Sequence, residues 1–202
     1  MNRIFWILAV LFGFSLMACS ETKVVDEFVD NWDQRNYAYI DSVANVARAN
    51  QGEEVGEWKV MRTYKQNEGG LGSASSNQDF VFAKILEKGT GAGSPIFNDT
   101  VMVTYRGRLI PTMSYPEGKV FDQNYYGDLN AESVLWAPTS SFQCNTLVEG
   151  WTTALMYMHE GDYWRLYIPQ DLGYQTKGST DIPGYSTLIF DIYLKKIKKA
   201  AH

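Results

Sequence analysis

Three stretches of this chain alternate apolar with polar residues: Val101, Val103 and Tyr105 within Thr100 to Leu109, then Trp164, Leu166 and Ile168, then Leu188, Phe190, Ile192 and Leu194. Successive side chains of a strand point to opposite faces, so a period of two predicts half-buried strands that each lend one face to a core. Between the first and second stretch, Trp151, Ala154, Leu155 and Met158 fall on one side of a short helix that stops at Gly161. Strands with one solvated face are typical of antiparallel sheets. The predicted fold class is therefore α+β, an antiparallel β-sheet wrapped around a short α-helix. Phe80 to Glu87 adds a further strand, with Phe80, Phe82 and Ile85 apolar, and Trp58 to Tyr64 is a candidate for a short one.

Upstream of the strands the period changes. From Val24 to Ala49 apolar residues recur at spacings of three and four, at Val25, Phe28, Val29, Trp32, Tyr39, Ile40, Val43, Val46 and Ala47. That spacing predicts an N-terminal amphipathic helix, ended by Asn50-Gln51-Gly52. Its stripe could pack on its own domain through Trp32 and Tyr39. Alternatively the helix could lift the domain off a membrane, at about 1.5 Å per residue. Before it come Arg3, an apolar run from Ile4 to Leu16, and Leu16-Met17-Ala18-Cys19. The run is short for a bilayer span but has the length of a signal-peptide core. Leu-Met-Ala-Cys resembles a bacterial lipobox, in which the cysteine, here Cys19, is lipidated and becomes the first mature residue. Ser20 and Glu21 follow without a dense acidic run, which favours an anchor facing the periplasm, at the outer membrane. The expected division is residues 1–18 as a lipoprotein-type signal peptide, 19–79 as a helical segment and linker, and 80–202 as the main domain. With Cys19 assigned to lipid, Cys144 has no cysteine to pair with.

The remaining composition excludes several chemistries. A formal net charge of -5 argues against nucleic-acid binding, which needs clustered Lys and Arg on one face. The dense basic cluster Lys195 to Lys199 reads as a solvated strand end. Gly89-Thr90-Gly91-Ala92-Gly93 is followed by Pro95 with no helix behind it, so it lacks the helix N-terminus that a phosphate loop requires. The histidines are His159 and His202, too few for a histidine metal site or a serine–histidine triad, and neither a metal nor a cofactor is expected. Aromatic residues make up 14% of the chain, and these side chains form either core or a rigid apolar bowl.

Residue order identifies a family. Val148-Glu149-Gly150-Trp151, the Met158 to Gly161 segment, Trp164 through Tyr174, Ile182-Pro183 and Thr187 through Asp191 follow Val103-Thr104-Tyr105-Arg106-Gly107 and Val120-Phe121-Asp122. This order, over roughly Asp99 to Lys196, resembles the FKBP family of peptidyl-prolyl isomerases. The resemblance implies that domain 80–202 is FKBP-like and isomerises Xaa-Pro bonds of exported proteins. It implies Trp151 as the floor under a proline ring, with Tyr105, Phe121, Val148 and Phe190 as walls and Leu147 and Ile182 as further wall positions. Asp122 and Tyr174 form the polar rim, and Asp122, Tyr174 and Tyr105 are the catalytic candidates. The implied partners are proline-containing polypeptides and macrolide inhibitors, together with the membrane through the N-terminal lipid. In some lipid-anchored or periplasmic members a leading helix dimerises, and the Val24 to Ala49 helix is open to the same use.

The chain departs from the family pattern between the two halves. Extra residues, including Pro111, Tyr115 and Pro116, separate Tyr105 from Phe121, and a second insertion after Asp122 runs through Tyr125-Tyr126-Gly127 and Trp136-Ala137-Pro138. Phe142 matches one member of the aromatic pair usually found before the Gly-Trp element, and Trp136 is a candidate for the missing wall position. Gln175 replaces the glycine that often follows the loop tyrosine. These changes fall on the rim, so they bear on substrate preference and macrolide affinity. They also leave open a chaperone or peptide-binding module that keeps the bowl with little catalysis.

Overall fold

The computed structural model describes residues 26–66, 76–130 and 132–200. The signal-peptide and Cys19 expectations lie outside these residues. The first helix, α1, runs from Trp32 to Ala49 and starts later than its spacing predicts. Asp26 accepts from the Phe28 amide through its carboxylate and from the Val29 and Asp30 amides through its carbonyl, which closes a turn. Asn31 then sits in the left-handed region at φ 50°, a break that a helix cannot propagate through.

The strands are β1 (Trp58–Arg62), β2 (Phe80–Glu87), β3 (Thr100–Arg108), β4 (Val120–Gln123), β5 (Ser140–Gln143), β6 (Tyr163–Ile168) and β7 (Leu188–Lys198); the short helices are α2 (Ser133–Trp136) and α3 (Glu149–Leu155). They form a seven-stranded sheet in the order β1-β2-β6-β7-β3-β4, with β5 also on β3. Every ladder is antiparallel. One edge of β3 serves two strands in turn: β5 pairs with Thr100 to Val103 and β4 with Arg106 to Arg108. Because β1 is laddered to β2 from Trp58↔Lys84 to Arg62↔Phe80, the sheet begins at Trp58, inside the segment expected to be linker.

Register sorts the apolar residues onto two faces. Ala83, Leu166 and Phe190 are cross-strand partners, as are Ile85, Trp164 and Ile192, and these side chains join Val101, Val103 and Tyr105 in the main core. Helix α3 lies against this face beside β1, β2 and β6. It contributes Trp151, Ala154 and Leu155, with Met158 just beyond its end. The other face is not solvated where α1 crosses it. Phe82, paired with Val60 and Tyr167, packs there with Trp58 beneath Ile40, Val43, Ala44 and Ala47. β2 is consequently apolar on both faces, with Val81, Ala83 and Ile85 inside and Phe80 and Phe82 outside, so Phe80, Phe82 and Ile85 do not share a face.

Most of the stripe of α1 thus packs on its own domain, while Val46 stays exposed. Trp32 is only 3% exposed and donates from Nε1 to Ser186 Oγ at 3.0 Å. Asn36, also buried, accepts from the Thr187 amide at 2.7 Å and donates to the Trp32 carbonyl at 2.7 Å. Tyr39 packs its ring 6.4 Å from that of Tyr167.

Candidate active site

Helix α3 brings the site together because its first turn sits directly on the sheet. A Cβ on Gly150 would lie 2.3 Å from Ile168 Cγ2, so only glycine allows this approach. The approach sets the next residue, Trp151, 4% exposed, among three rings that stand nearly perpendicular to its indole. These are Phe190 at 5.0 Å and 89°, Tyr105 at 5.4 Å and 86°, and Phe142 at 6.1 Å and 82°. Edge-to-face contacts suit the ring quadrupoles, so the box is rigid as well as apolar. A second glycine makes room for it: a Cβ on Gly107 would come 2.5 Å from Phe190 and 2.7 Å from Phe121.

The rings surround a cavity of about 290 Å³, lined by Tyr105, Asp122, Phe142, Thr146, Leu147, Val148, Trp151, Tyr174 and Phe190. Most of the residues named from the sequence meet here. Two do not line it. Phe121 stands behind the wall, edge-on to Phe190 at 5.3 Å and 87°. Ile182 is buried in the core that carries the wall. Trp136 does not fill a wall position either. It is 86% exposed, at the end of a helix whose Val134 packs with Tyr163 and Tyr193 on the opposite face of the sheet. Phe142 gains its place from the β5 ladder, where it pairs with Val101, a register fixed by long-range pairing.

Polar groups occupy one side of the bowl. The Tyr105 hydroxyl donates to Asp122 Oδ2 at 2.9 Å. Burial first, then the Asp122 carboxylate, pushes the Tyr105 phenol well above its ordinary value, so it stays neutral and keeps this bond. Burial and then Asp122 likewise raise Tyr174. Tyr174 is 39% exposed, and its hydroxyl bonds to no group among the described residues. The same is true of the Val148 amide, which precedes α3 in an extended conformation. The site therefore presents two unengaged donors beside an apolar floor.

Sequence reasoning missed Thr146, which lines the cavity, and Asn124, which braces it. Asn124 accepts from the Tyr105 amide at 2.9 Å and donates to the Val103 carbonyl at 2.9 Å and Ser140 Oγ at 3.1 Å. It thereby ties β3 to the end of β4 and the start of β5. No local pattern marks an asparagine for this work. A cleft of about 380 Å³ beside β1 is larger than the aromatic cavity, but it holds no comparable ring box and opens along a strand edge. Among the described residues no group of three His, Cys, Asp or Glu is placed to hold a metal, and no helix is long and apolar enough to cross a membrane.

An antiparallel sheet wrapped on a short helix, with an indole floor between the two, defines a class of protein with an aromatic pocket seated between sheet and helix. The chain belongs to the FKBP-type peptidyl-prolyl cis-trans isomerase family, whose profile matches residues 92–195. It is 41% identical over 119 residues to a macrophage infectivity potentiator of Trypanosoma cruzi, covering 58% of this chain and 53% of that protein. It is 35% identical over 129 residues to the FKBP-type 22 kDa peptidyl-prolyl cis-trans isomerase of Escherichia coli, covering 63% of this chain and 53% of the relative. The chain thus spans about half the length of these relatives. Among solved structures, a peptidyl-prolyl cis-trans isomerase from Pseudomonas syringae superposes with a TM-score of 0.51 at 26% identity, covering 80% of this chain and 95% of that one. FkpA from Escherichia coli gives 0.50 at 26% identity, covering 89% and 76%.

Proposed function

We propose that this protein is a peptidyl-prolyl cis-trans isomerase acting on Xaa-Pro bonds of exported polypeptides, held in the bacterial cell envelope by a lipid on Cys19. The observation that carries the reading is the Trp151 ring box with the unengaged Val148 amide and Tyr174 hydroxyl at its mouth. Rotation about a prolyl amide meets a barrier of about 18–20 kcal/mol, set by loss of resonance, and breaks no bond. A site that prefers the twisted amide to the planar one lowers that barrier. The planar form carries more charge separation and is better solvated by water, so a dry aromatic bowl disfavours it relative to the twisted form.

The residues divide the work. Trp151 and the rings around it hold the prolyl ring while the preceding carbonyl turns, which supplies orientation. The Val148 N–H and the Tyr174 hydroxyl take the substrate carbonyls on either side of the rotating bond. Asp122 holds the Tyr105 hydroxyl, so its task is to orient the wall and shape the local field without moving a proton. Each 1.36 kcal/mol of preferential stabilisation gives about tenfold in rate, so these few contacts suffice. Macrolides would enter the same bowl as rigid apolar occupants.

The deciding measurement is cis-to-trans relaxation of a proline tetrapeptide with the full chain in non-ionic detergent. A rate above background that Trp151→Ala lowers about tenfold or more is expected. A folded sample with no rate above background would overturn the reading.

A further inference from the structure

The face of the sheet opposite the proline pocket carries a charge imbalance, in which Asp191 and Arg108 are buried and Arg165 is half-buried. Asp191, on β7, accepts from Arg165 on β6 as a fork, Nε to Oδ1 at 2.5 Å and Nη2 to Oδ2 at 3.0 Å. It also accepts from Arg108 Nη2 on β3 at 2.7 Å. One carboxylate thus serves two guanidiniums, and the cluster keeps one positive charge in excess. Arg108 is 9% exposed, and its Nε, wholly shielded from solvent, has no hydrogen-bond partner among the described residues. A buried charge is costly unless it is paired, and a buried donor left unsatisfied adds to that cost.

Both arginines line a cavity of about 80 Å³. Its floor is the sheet, with Tyr167 and Ile189. Its walls are Tyr39 from α1 and Pro111 and Pro116 from the insertion before β4. Burial, followed by the neighbouring Tyr167, pushes the Tyr39 phenol up to about 12, so its hydroxyl is a neutral donor near pH 7. Glu117 reaches the rim, yet it forms an ion pair with neither guanidinium. Helix α1 and the insertion before β4 flank a small chamber that presents the two guanidiniums and the Tyr39 hydroxyl, with Glu117 the one carboxylate among its lining residues.

We infer that this chamber is a binding site for one small oxyanion, a phosphate or carboxylate group, received by Arg108 and Arg165 with the Tyr39 hydroxyl. Planar guanidinium forks match oxyanions in geometry, and the chamber's size admits little beyond such a group. This inference is independent of isomerase activity, because the chamber and the Trp151 bowl lie on opposite faces of the sheet.

Inorganic phosphate and acetate, each added to the full chain in non-ionic detergent and compared with chloride at equal ionic strength, separate the two oxyanion sources. At about ten times its Kd the bound anion should raise Tm by about 3 to 6 °C. It should also shift the Arg108 and Arg165 Nε–H NMR signals, while chloride does neither. Arg108→Met removes the excess charge and should weaken binding at least tenfold. Tyr39→Phe, which keeps the ring and the fold, tests the same chamber if the arginine variant does not fold, and should weaken binding severalfold. An equal response to chloride, unmoved arginine signals, or full affinity in Tyr39→Phe together with either Arg108→Met or an unfolded Arg108→Met would overturn the inference, with Glu117 or solvent then compensating the charge.

Discussion

Tyr105 joins wall and rim, since its ring faces Trp151 while its hydroxyl is bound to Asp122. Tyr105→Phe keeps the ring, so the fold should stand while kcat/KM falls severalfold; Asp122→Ala should act through the same bond, and the double variant should cost little more than either alone. A peptide assay on the three variants checks this non-additivity. The raised phenol gives a stability prediction too. Its folded value lies above the ordinary phenol value of about 10, so its contribution is complete below that pH and is lost as pH rises through the folded value. Unfolding titrations from pH 7 to 12 should show an alkaline loss that is smaller in Tyr105→Phe. Gly150→Ala should lose about 1–3 kcal/mol, because a methyl group there meets Ile168. Chemical denaturation reads it directly.

At the scale of elements, α1 has a second consequence for the site. Trp32 and Asn36 hold Ser186 and Thr187, and Ser186 in turn donates to the Pro183 carbonyl at 2.6 Å. The Tyr185 amide donates to the Gln175 carbonyl at 2.9 Å, next to Tyr174. The helix therefore braces the loop that presents the rim tyrosine. Asn36→Ala would strand the buried Thr187 amide, a loss of about 1–3 kcal/mol. Amide exchange in residues 173–187 should rise more than in β6, whereas a general loosening would raise both. The inner faces of β3, β6 and β7 were legible because period two marks them without reference to partners. β2 was not, since α1 covers its second face and erases the alternation, and the use of the α1 stripe depends on which surface lies opposite it. Glycines at 107 and 150 gave no sign of the close contacts that require them.

At the scale of the whole molecule, the sheet separates two chambers of opposite character. One face holds a box of rings with Asp122 at its edge, and the other holds paired arginines beneath a helix and a proline-bearing loop. Residue order was enough to collect Tyr105, Asp122, Val148, Trp151 and Tyr174, since the family pattern preserves their sequence. It also matched Phe142 to the aromatic pair, although only the β3 ladder fixes that register, and it could not send Trp136 to the far side. The back chamber was invisible because Tyr39, Arg108, Pro111 and Arg165 share no local motif, and only the β3–β7–β6 register, α1 and the insertion before β4 bring them together.

The bond from Trp32 to Ser186 also fixes where the polypeptide enters the domain. The described chain starts between two loops: Trp32 is bonded to Ser186 in the loop that carries Tyr174, while Glu27 accepts from Thr112 and Phe28 packs against Tyr115 in the insertion before β4. An anchor at Cys19, as proposed above, would therefore join the domain beside both of these loops. With the lipid proposed at Cys19, shortening residues 20–25 should hinder bulky proline-containing polypeptides while leaving a tetrapeptide's turnover unchanged, so that distance from the membrane would set the size of what reaches Trp151.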